Sequence, residues 1–171
     1  MMKRILCASV AVISIICAAP AQAQDGPLRT SLVGPTGGIT GSAVFTSTPE
    51  GVLVNVDVSG LATGWHAVHF HGTGDCSDHA AHFEKAGSHA AKEGQAHGYM
   101  SAEGPHSGDL PNMWIHGDGS GRAEFYTTET TFADLRDTDG AALMIHAGAD
   151  DYASQPSGNS GARVACGVIG Q

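Results

Sequence analysis

Basic residues are scarce in this chain: eight Lys and Arg stand against 17 Asp and Glu in 171 residues. It has no basic run, no aromatic series spaced for base stacking and no Gly-Lys phosphate cradle. Such a charge balance repels nucleic acid and anionic membrane surfaces, which excludes both as partners. Cysteines number only four, and aromatic residues make up 6%. Beyond the first 23 residues no long apolar run occurs, so no membrane-spanning helix is expected there. No stretch carries a helical apolar period worth defending, and no internal repeat is found.

The first 23 residues read as a leader. Lys3 and Arg4 form a basic start, Ile5 to Ala19 is an apolar run too short to span a bilayer, and Ala21-Gln22-Ala23 is a small-x-small cleavage signature. A mature chain starting at Gln24, exported to a periplasm and free of the membrane after cleavage, is the expectation. A lipid anchor on Cys17 is disfavoured because Ile16 precedes it. Residues 24–171 suit one domain. Lys3 and Arg4 leave with the leader, so six basic residues face 17 acidic ones, a charge of −11 with His neutral. Cys76 and Cys166 are the cysteines that remain. An exported chain with two cysteines most simply pairs them, and the bridge closes a loop of about 90 residues.

What the chain has in abundance is histidine. Ten occur, seven of them between Trp65 and His97. His69 and His71 are two apart, so in a strand both rings leave one face. His89, His97, His106 and Asp109 follow as H-x7-H-x8-H-x2-D in a Gly-rich stretch with little periodicity, and His146 stands alone. Neutral imidazole and carboxylate are the usual ligands of zinc and copper(II). Singly, each position has a plain structural explanation; together they point to metal ligation. His66 shares the parity of Val68, so packing or exposure suits it better than ligation. His79, His82 and His116 have no partner spacing and are assigned to solvent, where they could at most take up extra metal weakly.

The remainder reads as all-β. Val52, Val54, Val56 and Val58 alternate with Leu53, Asn55 and Asp57. Ser42–Thr46, Ala67–His71, Leu110–His116, Arg122–Thr127, Ala141–Ala147 and Ala162–Ile169 supply further strands, with a hairpin signal at Gly117–Gly121. In the third of these, Val68 and Phe70 can face a core while His69 and His71 face a site. About eight short strands with turn-rich joints indicate an antiparallel sandwich or barrel. Two connections, 72–109 and 147–161, are long enough to need a function or a tether.

The segments Gly64-Trp-His-Ala-Val-His-Phe-His-Gly-Thr-Gly-Asp-Cys76, Ala86-Gly-Ser-His89, Gly104-Pro-His-Ser-Gly-Asp109 and Gly158-Asn-Ser-Gly-Ala-Arg-Val-Ala-Cys-Gly-Val-Ile169 resemble copper/zinc superoxide dismutase, most closely its exported bacterial branch. The likeness runs from about Leu32 to Gly170. It implies an eight-stranded antiparallel Greek-key barrel with two long functional loops. It implies one copper held by His69, His71, His89 and His146, and one zinc held by His89, His97, His106 and Asp109, with His89 bridging. It further implies that Asp150 links the two sites, that Arg163 positions the anion beside the copper, and that Cys76 and Cys166 form the family's disulfide. The activity implied is disproportionation of superoxide by cycling copper(II) and copper(I), with zinc structural. Monomer and homodimer are both left open.

This chain departs from the family's usual residues at Gly72, where an acid is common, at Val68, where Phe is usual, and at Ala90-Ala91 in place of Asn-Pro. Lysines in the mature chain number two, Lys85 and Lys92. They are the candidates for steering superoxide toward a protein of net negative charge. The rival reading is a non-enzymatic copper or zinc buffer, or a copper-delivery module, on the same barrel; it would not need Arg163 or Asp150.

Overall fold

The computed structural model describes residues 26–170. Its eight strands are β1 (Leu28–Val33), β2 (Ile39–Ser47), β3 (Val52–Val58), β4 (Gly64–His71), β5 (Asp109–Ile115), β6 (Gly121–Thr127), β7 (Ala141–His146) and β8 (Arg163–Ile169). All paired neighbours are antiparallel, in the order β5-β4-β7-β8-β1-β2-β3-β6. The β5 and β6 edges approach each other through the 116–120 turn, where the His116 amide donates to the Ser120 carbonyl at 2.8 Å, so the barrel is nearly closed. The chain passes between β1-β2-β3-β6 and β5-β4-β7-β8 three times, the crossing pattern of the expected Greek key. The expected leader lies outside the described residues. Among the described residues no helix is long and apolar enough to cross a membrane.

Alternation puts the β3 valines 52, 54, 56 and 58 inside, in one cluster with Leu32, Phe45, Phe70, Leu110, Ile115, Leu143 and Ile145. Phe45 and Phe70 meet at 6.1 Å between ring centres, a tilted aromatic pair that helps fix the register of opposite walls. Strand β4 shows how the site is placed. Val68 and Phe70 fill the barrel, and His69 and His71 leave the other face, as their parity dictates. That outer face is nonetheless buried, because the segments 72–108 and 147–162 fold over it.

Two elements depart from the sequence reading. Strand β1 was absent from it because Leu-Arg-Thr-Ser-Leu-Val buries only Leu32 and has no legible period. The expectation of no helix is corrected by short pieces: α1 (Phe132–Leu135) and 3₁₀ turns at His79–Ala81 and Glu84–Ala86. In α1 the Thr131 hydroxyl accepts from the Asp134 amide while the Asp134 carboxylate accepts from the Thr131 amide, a capping box on a helix too short to show a period.

The 72–108 connection has two tethers. Cys76 and Cys166 are disulfide-bonded, with Cα atoms 5.8 Å apart. At the other end His89 bridges to His71, the Ala90 amide donates to the Phe70 carbonyl at 2.8 Å, and the Ala90 carbonyl accepts from the Gly108 amide at 2.7 Å. The path through Ala90-Ala91 is therefore set by backbone pairing. Gly108 is required there, since a Cβ would overlap the Phe70 carbonyl oxygen.

Candidate metal centre

Six imidazoles and one carboxylate converge where β4 and β7 end. His89 is the hub: the rings of His69, His71, His97, His106 and His146 lie 3.9, 5.1, 5.2, 5.6 and 6.1 Å from its own. His69 and His97 are fully buried, His71 and His146 nearly so, and His106 is half-buried. Packing that many polar rings together without water or partners would be costly unless something ligates them.

The hydrogen bonds decide which nitrogen of each ring is free. His69 Nε2 donates to Asp150 Oδ2 at 2.7 Å, His71 Nδ1 to the Gly87 carbonyl at 2.9 Å, and His146 Nδ1 to the Gly161 carbonyl at 3.2 Å. Each acceptor fixes one tautomer and leaves a lone pair on the other nitrogen. Those others, His69 Nδ1, His71 Nε2 and His146 Nε2, are buried without a partner, and so is His89 Nε2. One ligand atom from each of these four residues lies within 4.8 Å of the rest. This is a four-nitrogen set suited to copper.

The second set centres on Asp109. Its Oδ2 accepts from the amides of Gly98 and His106 at 2.8 and 3.0 Å. Its Oδ1 lies 3.2 Å from His89 Nδ1, 3.0 Å from His97 Nδ1 and 3.7 Å from His106 Nδ1. Four donors about 2.0–2.1 Å from a tetrahedral zinc lie about 3.3 Å from one another, so these spacings are edges of such a site. His69, His89, His97 and Asp109 also come within 4.8 Å of one another. However, His69 Nε2 is committed to Asp150, whereas His106 Nδ1 is buried and unpartnered. His106 Nδ1, 3.7 Å from Asp109 Oδ1, could therefore serve as the fourth donor of the zinc-type set.

Asp150 couples the two sets. Its Oδ2 accepts a hydrogen bond from His69 Nε2 at 2.7 Å and its Oδ1 accepts one from His97 Nε2 at 3.0 Å. Burial pushes the imidazole pKa of His69 down to about 4, of His71 to about 2 and of His146 to about 3. All three are neutral near pH 7, the state that ligates. Burial alone would raise the carboxyl of Asp109, but hydrogen bonds from His89 and the Gly98 amide outweigh it and hold the group below the usual range. Asp150 is held low in the same way by His69 and His97.

Arg163 opens onto a cavity of about 410 Å³ shared with His71, His89, His146, Pro156 and Ser157. Its Nη1 donates to the Phe83 carbonyl at 2.5 Å and its Nη2 to the Gly87 carbonyl at 2.7 Å. The two lysines are not in this cavity. Lys85 Nζ donates to Ser77 Oγ at 3.2 Å, and Lys92 Nζ to the Glu129 carbonyl at 2.8 Å beside a separate cavity next to α1.

Several residues that hold the site gave no signal in the sequence. Asn112 grips the Asp150 backbone from both sides, donating to its carbonyl at 2.9 Å and accepting from its amide at 2.8 Å. Gln155 does the same for His97, at 2.8 and 2.9 Å. At Gly158, with φ +66°, a Cβ would overlap Asp150 Oδ1. His66 packs, as its parity suggested, with its ring between the carbonyls of His146 and Ala62. His82 and His116 are exposed and His79 is half-buried. Among the described residues none of the three joins a metal-competent group.

Known proteins resemble this chain closely. A family model described as copper/zinc superoxide dismutase matches residues 39–169. A protein of Caulobacter vibrioides named superoxide dismutase [Cu-Zn] is 40% identical over 136 residues, covering 75% of this chain and 77% of that protein. A solved copper/zinc superoxide dismutase from Brucella abortus is similar with a TM-score of 0.70 at 27% identity, covering 85% of this chain and all of that one. The crystal structure of a superoxide dismutase-like protein from Bacillus subtilis is similar with a TM-score of 0.75 at 32% identity, covering 82% of this chain and 97% of that one.

Proposed function

The chain belongs to the copper/zinc superoxide dismutase family, and from that premise we propose that it converts two superoxide anions and two protons to oxygen and hydrogen peroxide. The observation that carries this reading is the set of five buried imidazole nitrogens without partners: His69 Nδ1, His71 Nε2, His89 Nε2 and His146 Nε2 in the copper-type set, and His106 Nδ1 beside Asp109. Copper, when bound, supplies the one-electron chemistry by alternating between its +2 and +1 states. His69, His71, His89 and His146 would hold copper; His89, His97, His106 and Asp109 would hold zinc in a closed, structural set.

The chain's own residues do the rest. His89 would offer Nε2 to the copper-type set and Nδ1 to the zinc-type set, and its unpartnered Nε2 is the atom that can hold a proton for peroxide formation. Arg163, tied down by two carbonyls, keeps its remaining N–H groups toward the cavity, where they orient a small anion. Asp150 fixes the ring orientation of His69 and His97 together, so neither set can shift alone.

A non-enzymatic copper or zinc buffer on the same barrel would have no use for a clamped arginine at the cavity wall. Superoxide consumption by copper- and zinc-loaded protein separates the two readings. Rapid consumption is expected, falling at least about tenfold in Arg163→Glu, the size of one lost oriented donor with a reversed charge. Loaded protein no faster than free copper would overturn the reading.

The basic start, the apolar run and the Ala21-Gln22-Ala23 signature support export of this chain to the periplasm. Mass spectrometry of the secreted protein should find Gln24 at its N-terminus; retention of residues 1–23 would contradict this. For assembly, the outer face of β4 and β5 presents Trp65 and Trp114, edge to face at 5.3 Å and 55% and 41% exposed. A homodimer through this aromatic pair is proposed, with Trp114→Glu expected to shift the sedimenting species to a monomer. A wild-type chain that is already monomeric would exclude it.

A further inference from the structure

Resting on the reading of Arg163 as the anion-positioning group, we propose that Phe83 is a positioning residue that acts through Arg163, its buried ring fixing a left-handed turn that aims the Phe83 carbonyl at the guanidinium.

The chain does something uncommon at this point. His82 and Phe83 are consecutive non-glycine residues in the left-handed region, at φ 60°, ψ 34° and φ 59°, ψ 36°. Left-handed backbone is unfavourable for any residue with a Cβ and rare for a bulky one. It persists where the surroundings over-determine it. Here the surroundings are visible. The Phe83 ring is fully buried in a small cluster with Cys76, Ala86, Met144 and Cys166, apart from the barrel core. The turn joins two 3₁₀ pieces: the Phe83 amide donates to the Asp78 carbonyl at 3.3 Å, and the Phe83 carbonyl accepts from the Ala86 amide at 3.2 Å.

The result is a pair of carbonyls four residues apart, Phe83 and Gly87, which receive the two terminal nitrogens of Arg163. A planar guanidinium held at two points loses its freedom to rotate. The Gly87 carbonyl also accepts a hydrogen bond from His71 Nδ1, so the arginine and a copper-type imidazole share one anchor. Within this fork, the Phe83 carbonyl is the part that serves Arg163 and not His71. Its position depends on a turn whose only buried anchors are the Phe83 and Ala86 side chains.

The test is a double-mutant cycle with azide as the anion probe, titrated by its absorption change on copper- and zinc-loaded protein. Arg163→Ala should itself weaken azide binding; no change there would overturn the premise and with it this proposal. With that premise met, Phe83→Ala should weaken azide about tenfold, the size of one hydrogen bond to a charged group. Phe83→Leu, which refills most of the space, should weaken it about two- to threefold by the same measure. In the Arg163→Ala background both changes should be less than about twofold.

A second readout needs no turnover. In the copper(I), zinc-loaded protein, the Arg163 guanidinium nitrogens should give separate NMR signals that merge in the Phe83 variants. Where Phe83→Ala does not fold, Phe83→Leu is read on both measurements alone. Equal weakening of azide in both backgrounds, or lowered thermal stability with unchanged azide affinity and separate Arg163 signals, would show that the ring only packs and would overturn the proposal.

Discussion

At residue 150 a single carboxylate decides the tautomers of two rings that belong to different metal sets. Its Oδ2 accepts from His69 Nε2 at 2.7 Å, and its Oδ1 accepts from His97 Nε2 at 3.0 Å and from the Tyr152 amide at 2.6 Å. Asp150→Asn keeps the shape but offers only one acceptor, so one ring must turn or face an N–H. Loss of such an outer partner typically lowers metal affinity about 10–100-fold. Competition with a chelator should show that drop for zinc, whose set contains His97; unchanged zinc affinity would remove Asp150 from the argument. Acid acts on the same residues. The imidazoles of His69, His71 and His146 have folded pKa values of about 4, 2 and 3, below the unfolded value of about 6.5. Between the two values the unfolded chain binds more protons, so stability falls as pH falls. Each group contributes about 1.4 kcal/mol per pH unit in that window. The urea midpoint of metal-free protein should therefore decline steadily from pH 6.5 to pH 4.5, and a flat or rising midpoint would contradict the neutral-ring account.

Elements carry the tethers, and they also show which parts of the structure were legible in the sequence. The bond between Cys76 and Cys166 fastens the 72–108 segment to β8, three residues from Arg163. Cys166 is also the residue through which β8 pairs with Val33 of β1. A loop of about 90 residues gives roughly 4–5 kcal/mol in the chain-entropy model. Cys166→Ser is expected to lower the unfolding free energy by about 2–5 kcal/mol, a typical loss for a native bridge. A change under about 0.5 kcal/mol would mean the segment is held by its backbone pairing alone.

Strands β3 and β4 could be read because alternation of period two is a direct record of which face is buried. Strand β1 could not, since Leu32 is its one buried residue. The candidate ligand residues were legible because metal chemistry demands specific side chains. Asn112, Gln155 and Gly158 were not, because they act on backbone groups or by leaving space, and neither leaves a pattern along the chain.

On the scale of the whole molecule, a net charge of −9 opposes the approach of an anion, so local field has to guide it. Lys85 sits between Phe83 and Gly87, whose carbonyls hold Arg163, while Lys92 is turned toward Glu129. Replacing both by Gln should lower the low-salt rate and flatten its dependence on ionic strength, with Lys85→Gln giving the larger share. An unchanged salt curve would leave Arg163 and the metals as the whole attraction.

The central claim is that the His89 imidazole is shared between two different cations. Diffraction from copper- and zinc-loaded crystals, recorded on both sides of each metal's absorption edge, tests it most directly. A copper peak is expected beside His89 Nε2 among His69, His71 and His146, and a zinc peak beside Nδ1 among His97, His106 and Asp109. One metal only, or two peaks with neither against the His89 ring, would contradict it.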